Sequence, residues 1–215
     1  MLLFGDDIPA TFYFGDSPVE RLYFGDELVW TSAIDPQQLT YSTPGEYVFT
    51  TPDGSGYHVD LVAVGGGNGG HWYEFGRQHN GGKAGSFNWD SIVEGVDFTA
   101  GDQISITVGA GGGGGGSGTA STVEIAGNTL TAAAGESGNV YGYAGQSVFT
   151  GNTNGNKDLL LNGVTYVGGS GGTGSGSNDS AASPLAPGGG GWGSNSNGVS
   201  GRPGGHGRVW LNVYQ

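Results

Sequence analysis

Cysteine is absent from the 215-residue chain, so no disulfide framework and no thiolate chemistry is available to it. Basic residues are scarce: 6 Lys and Arg stand against 19 Asp and Glu, a net charge of −13. That deficit excludes nucleic acid as the main partner, because a phosphate backbone needs a basic face. It also repels anionic membranes. Long apolar runs are missing, and Met1-Leu2-Leu3-Phe4 passes into Gly5-Asp6-Asp7 without a basic segment. The expectation is neither a signal peptide nor a membrane-inserted span. No stretch keeps the 3.6-residue apolar period of a helix over a useful length. Charged residues make up only 12%, which excludes a highly charged disordered tail.

What the chain has is glycine. With 49 glycines and 8 prolines, the two together reach about 27%, where ordinary domains carry roughly 12%. Aromatics nevertheless make up 11% of the chain, and short β-branched runs recur between the glycine clusters. A solvated linker has no core to fill and would carry neither. The composition therefore predicts a folded, glycine-built protein.

The N-terminus repeats every ten residues: Phe4-Gly5-Asp6, Phe14-Gly15-Asp16 and Phe24-Gly25-Asp26, each followed by an aliphatic position at Ile8, Val19 and Leu28 or Val29. Each unit reads as a short strand (Leu2–Phe4, Phe12–Phe14, Leu22–Phe24), a Gly-Asp turn and a second short strand. One such hairpin buries too little to be stable alone, so the rungs are expected to stack or to associate with other copies. A calcium ladder is the weaker reading of the three aspartates, since calcium wants six to eight converging oxygens. Residues 1–32 are thus expected to be one repeat module. Asp35-Pro36 lies in a polar connector before a second unit, 33–215.

In that unit the expected strands are Gly45–Thr51, Tyr57–Val64, Gln103–Val108, Thr122–Ile125, Thr129–Ala132, Asp158–Leu161, Val164–Val167 and Arg208–Tyr214. Gly127-Asn128 and Asn162-Gly163 are the expected two-residue hairpin turns. The scaffold is all-β. Between the strands lie six glycine blocks: Gly65–Gly70, Gly81–Gly85, Gly109–Gly118, Gly168–Gly176, Gly188–Gly193 and Gly201–Gly207. The bland reading is flexible loops, costly to order; the preferred one is a packed bundle of three-residue-per-turn extended helices, which approach closely only where side chains are missing.

Several motifs resemble chemistry without its context. Gly65–Gly70 satisfies G-x-G-x-x-G, but the residues after it carry breakers and no helical apolar stripe. Gly82-Lys83-Ala84 has Ala where a phosphate loop needs Ser or Thr. His71, Glu74 and His79 are close in sequence, yet glycine neighbours hold ligands poorly, and exposed loop histidines are the better reading. No nucleophile elbow occurs with a credible helix after it. No enzyme activity, cofactor or metal is expected.

The side chains with recognition potential lie between the glycine blocks: His71-Trp72-Tyr73-Glu74-Phe75, Phe87-Asn88-Trp89, Asn139-Val140-Tyr141-Gly142-Tyr143, and Trp192 before Ser194-Asn195-Ser196-Asn197. Aromatic rings beside Asn, Ser and Asp suit carbohydrate or protein surfaces. For any one ring the favoured reading is that it covers the glycine bundle, because buried area dominates aromatic energetics. Trp72, Tyr73, Trp89, Tyr141, Tyr143 and Trp192 are the contact candidates.

Three features together resemble the glycine-rich minor tail proteins of long-tailed bacteriophages, especially those of actinobacterial hosts. They are the Phe-Gly-Asp repeat ending in Leu28-Val29-Trp30; Pro44-Gly45-Glu46-Tyr47-Val48-Phe49-Thr50 leading to Val59–Val64 and a glycine run; and Ala100-Gly101-Asp102-Gln103–Val108 entering Gly109, with a terminal Gly207-Arg208-Val209-Trp210-Leu211 strand. The glycine domain also resembles the polyglycine sandwich of phage tail-fibre adhesins. The resemblance implies a β-sandwich with packed polyglycine II-type helices, a place at the tail tip of the virion, and partners among other tail-tip proteins and a host surface glycan or envelope component. A homotrimer mounted through the Phe-Gly-Asp repeats is the expected assembly. A purely structural tail-tip component is the first alternative. An ice-binding or extracellular matrix protein is the second, ranked lower because the threonines are scattered in sequence.

Overall fold

The computed structural model describes residues 36–71, 80–135, 158–173, 186–194 and 201–215, together with the backbone of five short strands at 12–14, 17–19, 21–24, 27–31 and 139–140. Every regular element among them is a strand.

The second and third repeats form hairpins. β1 (Phe12–Phe14) pairs antiparallel with β2 (Ser17–Val19), the partners Phe14 and Ser17 flanking Gly15-Asp16. β3 (Arg21–Phe24) pairs with β4 (Glu27–Thr31), Phe24 and Glu27 flanking Gly25-Asp26, with a register shift between Leu22 and Tyr23. The first repeat, Phe4-Gly5-Asp6, lies outside the described residues, as do Gly15, Asp16, Gly25 and Asp26.

Two four-stranded antiparallel sheets make the body. The first has the order β5 (Gln37–Tyr41), β16 (Arg208–Tyr214), β7 (His58–Val64), β9 (Phe87–Val93); the second, β12 (Asn128–Ala132), β11 (Ser121–Ile125), β10 (Gln103–Val108), β6 (Gly45–Thr50). Alternation sets the inner faces. Val59, Leu61 and Ala63 of β7 with Val209, Leu211 and Val213 of β16 meet Ile104, Ile106 and Val108 of β10 with Val123 and Ile125 of β11. The body is a β-sandwich. Each fully buried aliphatic side chain contributes about 1.5–3 kcal/mol, so this core is the main source of stability.

β7 is buried on both faces, as its uninterrupted apolar run Leu61–Val64 suggests. Its outer residues Val62 and Val64 pack with Phe87, Leu159, Tyr166 and Trp210. Leu159 and Tyr166 come from a hairpin, β14 (Asp158–Leu161) and β15 (Val164–Val167), laid over the first sheet as a third layer. Trp210 stacks near Phe87 (6.3 Å, 15°) and meets Tyr166 edge-on (5.5 Å, 69°). The hairpin turns at Asn162-Gly163, both with positive φ, as the sequence predicts.

Several elements depart from expectation, β5 among them, since no strand is expected at Gln37–Tyr41. The β11–β12 turn is Ala126-Gly127 rather than Gly127-Asn128: Asn128 pairs with Ile125, and Ala126 takes φ 47°. Phe87-Asn88-Trp89, read as an inter-glycine segment, opens the edge strand β9. Its inner face carries Asn88 and Asp90, which breaks the apolar alternation.

The glycine blocks continue the strands beyond one end of the sandwich. β7 and β10 run into 65–70 and 109–118, and 201–207 runs into β16. Segment 65–71 is the axis. Its amides donate in rotation, Gly65, Asn68 and His71 to Ser86, Lys83 and Asn80, Gly66 and Gly69 to Thr119 and Gly116, Gly67 and Gly70 to Gly205 and Arg202, at 2.8–3.2 Å. Three residues forward on the axis correspond to three residues back on each neighbour. That is the period of a three-residue-per-turn helix among antiparallel neighbours. The carbonyls serve three further segments: Gly67 and Gly70 accept from Gly112 and Gly115, Asn68 and His71 from Gly191 and Ser194, and Gly66 from Gly135, at 2.8–3.0 Å. The axis thus has six neighbours and the loose-loop reading gives way to a packed bundle within one chain. A Cβ on Gly67 would overlap the Gly189 carbonyl, and one on Gly69 the Gly113 carbonyl.

A net hydrogen bond adds about 0.5–1.5 kcal/mol, while fixing one residue's backbone costs about 1–2 kcal/mol and glycine about 0.5–1 kcal/mol more than alanine. The bonds alone do not cover that cost, so the bundle needs the sandwich as its foundation. Ser121, fully buried, ties the junction: its Oγ donates to the Val64 carbonyl (2.7 Å) and accepts from the Gly109 amide (2.9 Å).

Candidate functional site

The far pole of the bundle is where three candidate segments begin. The His71 amide donates to the Asn80 carbonyl (3.0 Å), so 72–79 leaves and returns at one point. Ser194 donates to the His71 carbonyl (3.0 Å), and a Cβ on Gly201 would overlap the Gly70 carbonyl, which puts both flanks of 195–200 beside it. β8 (Gly81–Gly82) pairs with β13 (Asn139–Val140), Val140 opposite Gly81, so the described chain before 141 ends beside the residue that follows Asn80. Trp72, Tyr73, Tyr141 and Tyr143 themselves lie outside the described residues, as do Glu74 and His79.

The other two candidates are placed elsewhere. Trp192 is 1% exposed and buried within the bundle, so its role here is packing rather than contact: a bundle of bare backbone has few side chains of its own to exclude water. Trp89 is 42% exposed on the outer face of β9, paired with Val62, away from the pole.

A polar cluster that the sequence reading missed lies under the β14–β15 hairpin. Asp60 is fully buried in the middle of β7. Its Oδ1 accepts from Ser91 Oγ (2.7 Å), Asn162 Nδ2 (2.9 Å) and the Tyr214 hydroxyl (3.1 Å), while Oδ2 has no partner among the described residues. His58 stacks on Tyr214 (5.4 Å, 13°). Burial, then the Asp60 and Tyr214 charges, push the Tyr166 phenol up to about 12. Tyr214 is also raised, chiefly by burial. Ser, His and Asp are all present, but Ser91 donates directly to the carboxylate and not to an imidazole. The serine–base contact of nucleophilic catalysis is therefore missing. The cluster clamps the hairpin to the sheet. Its signal in the sequence was a lone Asp inside His58-Val59-Asp60-Leu61-Val62-Ala63-Val64.

Among the described residues no group of three or more His, Asp or Glu side chains converges as metal ligands would. The threonines are less scattered than in sequence: Thr107, Thr122 and Thr131 form one cross-strand row on the second sheet. Ser105, Thr50 and Thr129 share its face, interrupted by Glu46, Glu124 and Val48.

No curated protein matches the chain. The glycine-rich domain model matches residues 41–214, from the end of β5 to the end of β16, spanning both sheets and the bundle. The chain belongs to the glycine-rich domain family.

Proposed function

We propose that this chain is a non-enzymatic minor tail protein at the tail tip of a long-tailed bacteriophage, and that it attaches the virion to the host surface. The observation that carries the reading is the shared pole: a stiff bundle gives three segments, two of them bearing Trp72, Tyr73, Tyr141 and Tyr143, a common point of departure. Rigid scaffolds with variable connectors suit recognition, because the scaffold lowers the ordering cost of binding. The Phe-Gly-Asp hairpins mount the head on other tail-tip proteins, as a homotrimer, and the contact with a surface glycan or envelope component is weak per copy and amplified by copy number.

The test is adsorption of virions carrying Trp72→Ala with Tyr73→Ala, or Tyr141→Ala with Tyr143→Ala. At least a tenfold loss of adsorption with normal virion assembly supports attachment. Undiminished adsorption by both variants favours the second reading, a structural tail-tip component, which the burial of Trp192 also favours.

A further inference from the structure

Away from the pole and from the Asp60 clamp, the sandwich is open along one side. The edge strands β9 and β12 face each other there, one from each sheet. At one end they are stitched, Asn88 Nδ2 donating to the Thr131 carbonyl at 2.9 Å. Further along they splay and leave a cleft of about 230 Å³. Its floor is core: Ile92, Ile125 and Leu130. Its rim carries Asp90, Asp97 and Asn128.

Both carboxylates are held in place. Asp97 Oδ2 accepts the Val93 amide (2.8 Å), and Asp90 Oδ1 accepts the Ser91 amide (2.9 Å). The second oxygen of each makes no hydrogen bond to the described residues. No Lys or Arg lines the cleft, and the whole chain carries −13. Pockets for drug-sized ligands run to roughly 300–1,000 Å³, so this one suits a single side chain better than an oligosaccharide.

We infer that the cleft is a docking site for a lysine side chain of a partner polypeptide. Lysine matches it in two parts: an apolar four-carbon stem that lies on aliphatic surface and a compact ammonium that stays at the rim. The stem covers Ile92, Ile125 and Leu130, and the ammonium sits between Asp90 and Asp97. Arginine is the poorer fit, since one oxygen of each carboxylate already accepts a backbone amide, which disfavours the symmetric fork-on-carboxylate geometry a planar guanidinium prefers, whereas a compact ammonium needs no such geometry.

The experiment titrates the full isotope-labelled chain with acetyl-Gly-Lys-Gly-amide, following the methyl signals of Ile92, Ile125 and Leu130. Saturable shifts confined to these methyls are expected, with at least a fivefold weaker affinity for the norleucine and arginine analogues. Asp90→Asn and Asp97→Asn each keep the amide-accepting oxygen and should weaken binding at least threefold. Leu130→Trp, which fills the cleft, should abolish it; an unchanged spectrum elsewhere confirms that each variant folds. Equal binding of norleucine or arginine, shifts spread over the acidic surface, or affinity unchanged in both Asn variants would overturn the assignment.

Discussion

Asn162 and Asp60, 102 residues apart in the chain, meet at 2.9 Å, and the same Asn162 amide nitrogen lies 2.9 Å from the Tyr214 hydroxyl. The turn residue of the outer hairpin is thus bonded to the middle of the most buried strand. Asp60→Ala leaves Ser91, Asn162 and Tyr214 without their shared acceptor and should cost about 2–4 kcal/mol in urea unfolding. Asn162→Gly keeps the positive φ and should cost only about 1–2 kcal/mol. In the double variant the losses should fall short of their sum by at least about 0.5 kcal/mol. Strict additivity would mean that the clamp is not a unit.

Glycine position, rather than glycine number, decides tolerance in the bundle. Gly67→Ala drives a methyl into the Gly189 carbonyl and should destabilise by about 3 kcal/mol or more. Gly113 belongs to the same run of glycines as Gly112, but an added Cβ there meets nothing within 4 Å. Gly113→Ala should be neutral or stabilising by up to about 1 kcal/mol. Thermal unfolding of the two variants separates them; equal effects would contradict the packing.

The strands with clean alternation were legible in the sequence. Gln103–Val108 and Arg208–Tyr214 appear with the bounds their patterns give, and Asn162-Gly163 turns where that pair must. β5 was hidden because Gln37 and Gln38 look like linker, and β9 because Asp90 and Asn88 sit on an inner face. Their polarity makes sense only once the edge cleft and the Asn88–Thr131 bond exist, which are products of tertiary structure. The glycine bundle was legible as a possibility; which blocks neighbour which depends on the three-residue rotation of the axis, and composition carries no register.

Tyr166 predicts an alkaline limit. Its folded-state phenol is pushed up to about 12 from 10.0, so the folded protein holds that proton more tightly than the unfolded chain. The associated stability is intact below pH 10 and is lost as pH rises from 10 to 12. Tyr41, Tyr57 and Tyr214 are raised too, mainly by burial, and add to the same loss. Tyr166→Phe removes a buried hydroxyl with no partner among the described residues. It should be as stable as the parent at pH 7 and show a shallower decline above pH 10. A steeper decline in denaturation midpoints would contradict the assignment.

Amide exchange reads the bundle directly. The Gly66, Gly67, Asn68, Gly69 and Gly70 amides all donate to carbonyls at 2.8–2.9 Å from buried positions. They should exchange at least a thousandfold more slowly than unstructured glycine, in the range of the β7 amides. Exchange near the unstructured rate would return these residues to the status of loops.

Attachment to the host surface is the central proposal. The most direct measurement is binding of the purified, labelled full chain to actinobacterial cells that adsorb a long-tailed phage carrying it, with the phage as competitor. Attachment predicts saturable binding that blocks adsorption and weakens when Tyr141 and Tyr143 are both replaced by Ala. No binding by the folded, oligomeric protein would contradict it and leave a structural component whose contacts are with other virion proteins.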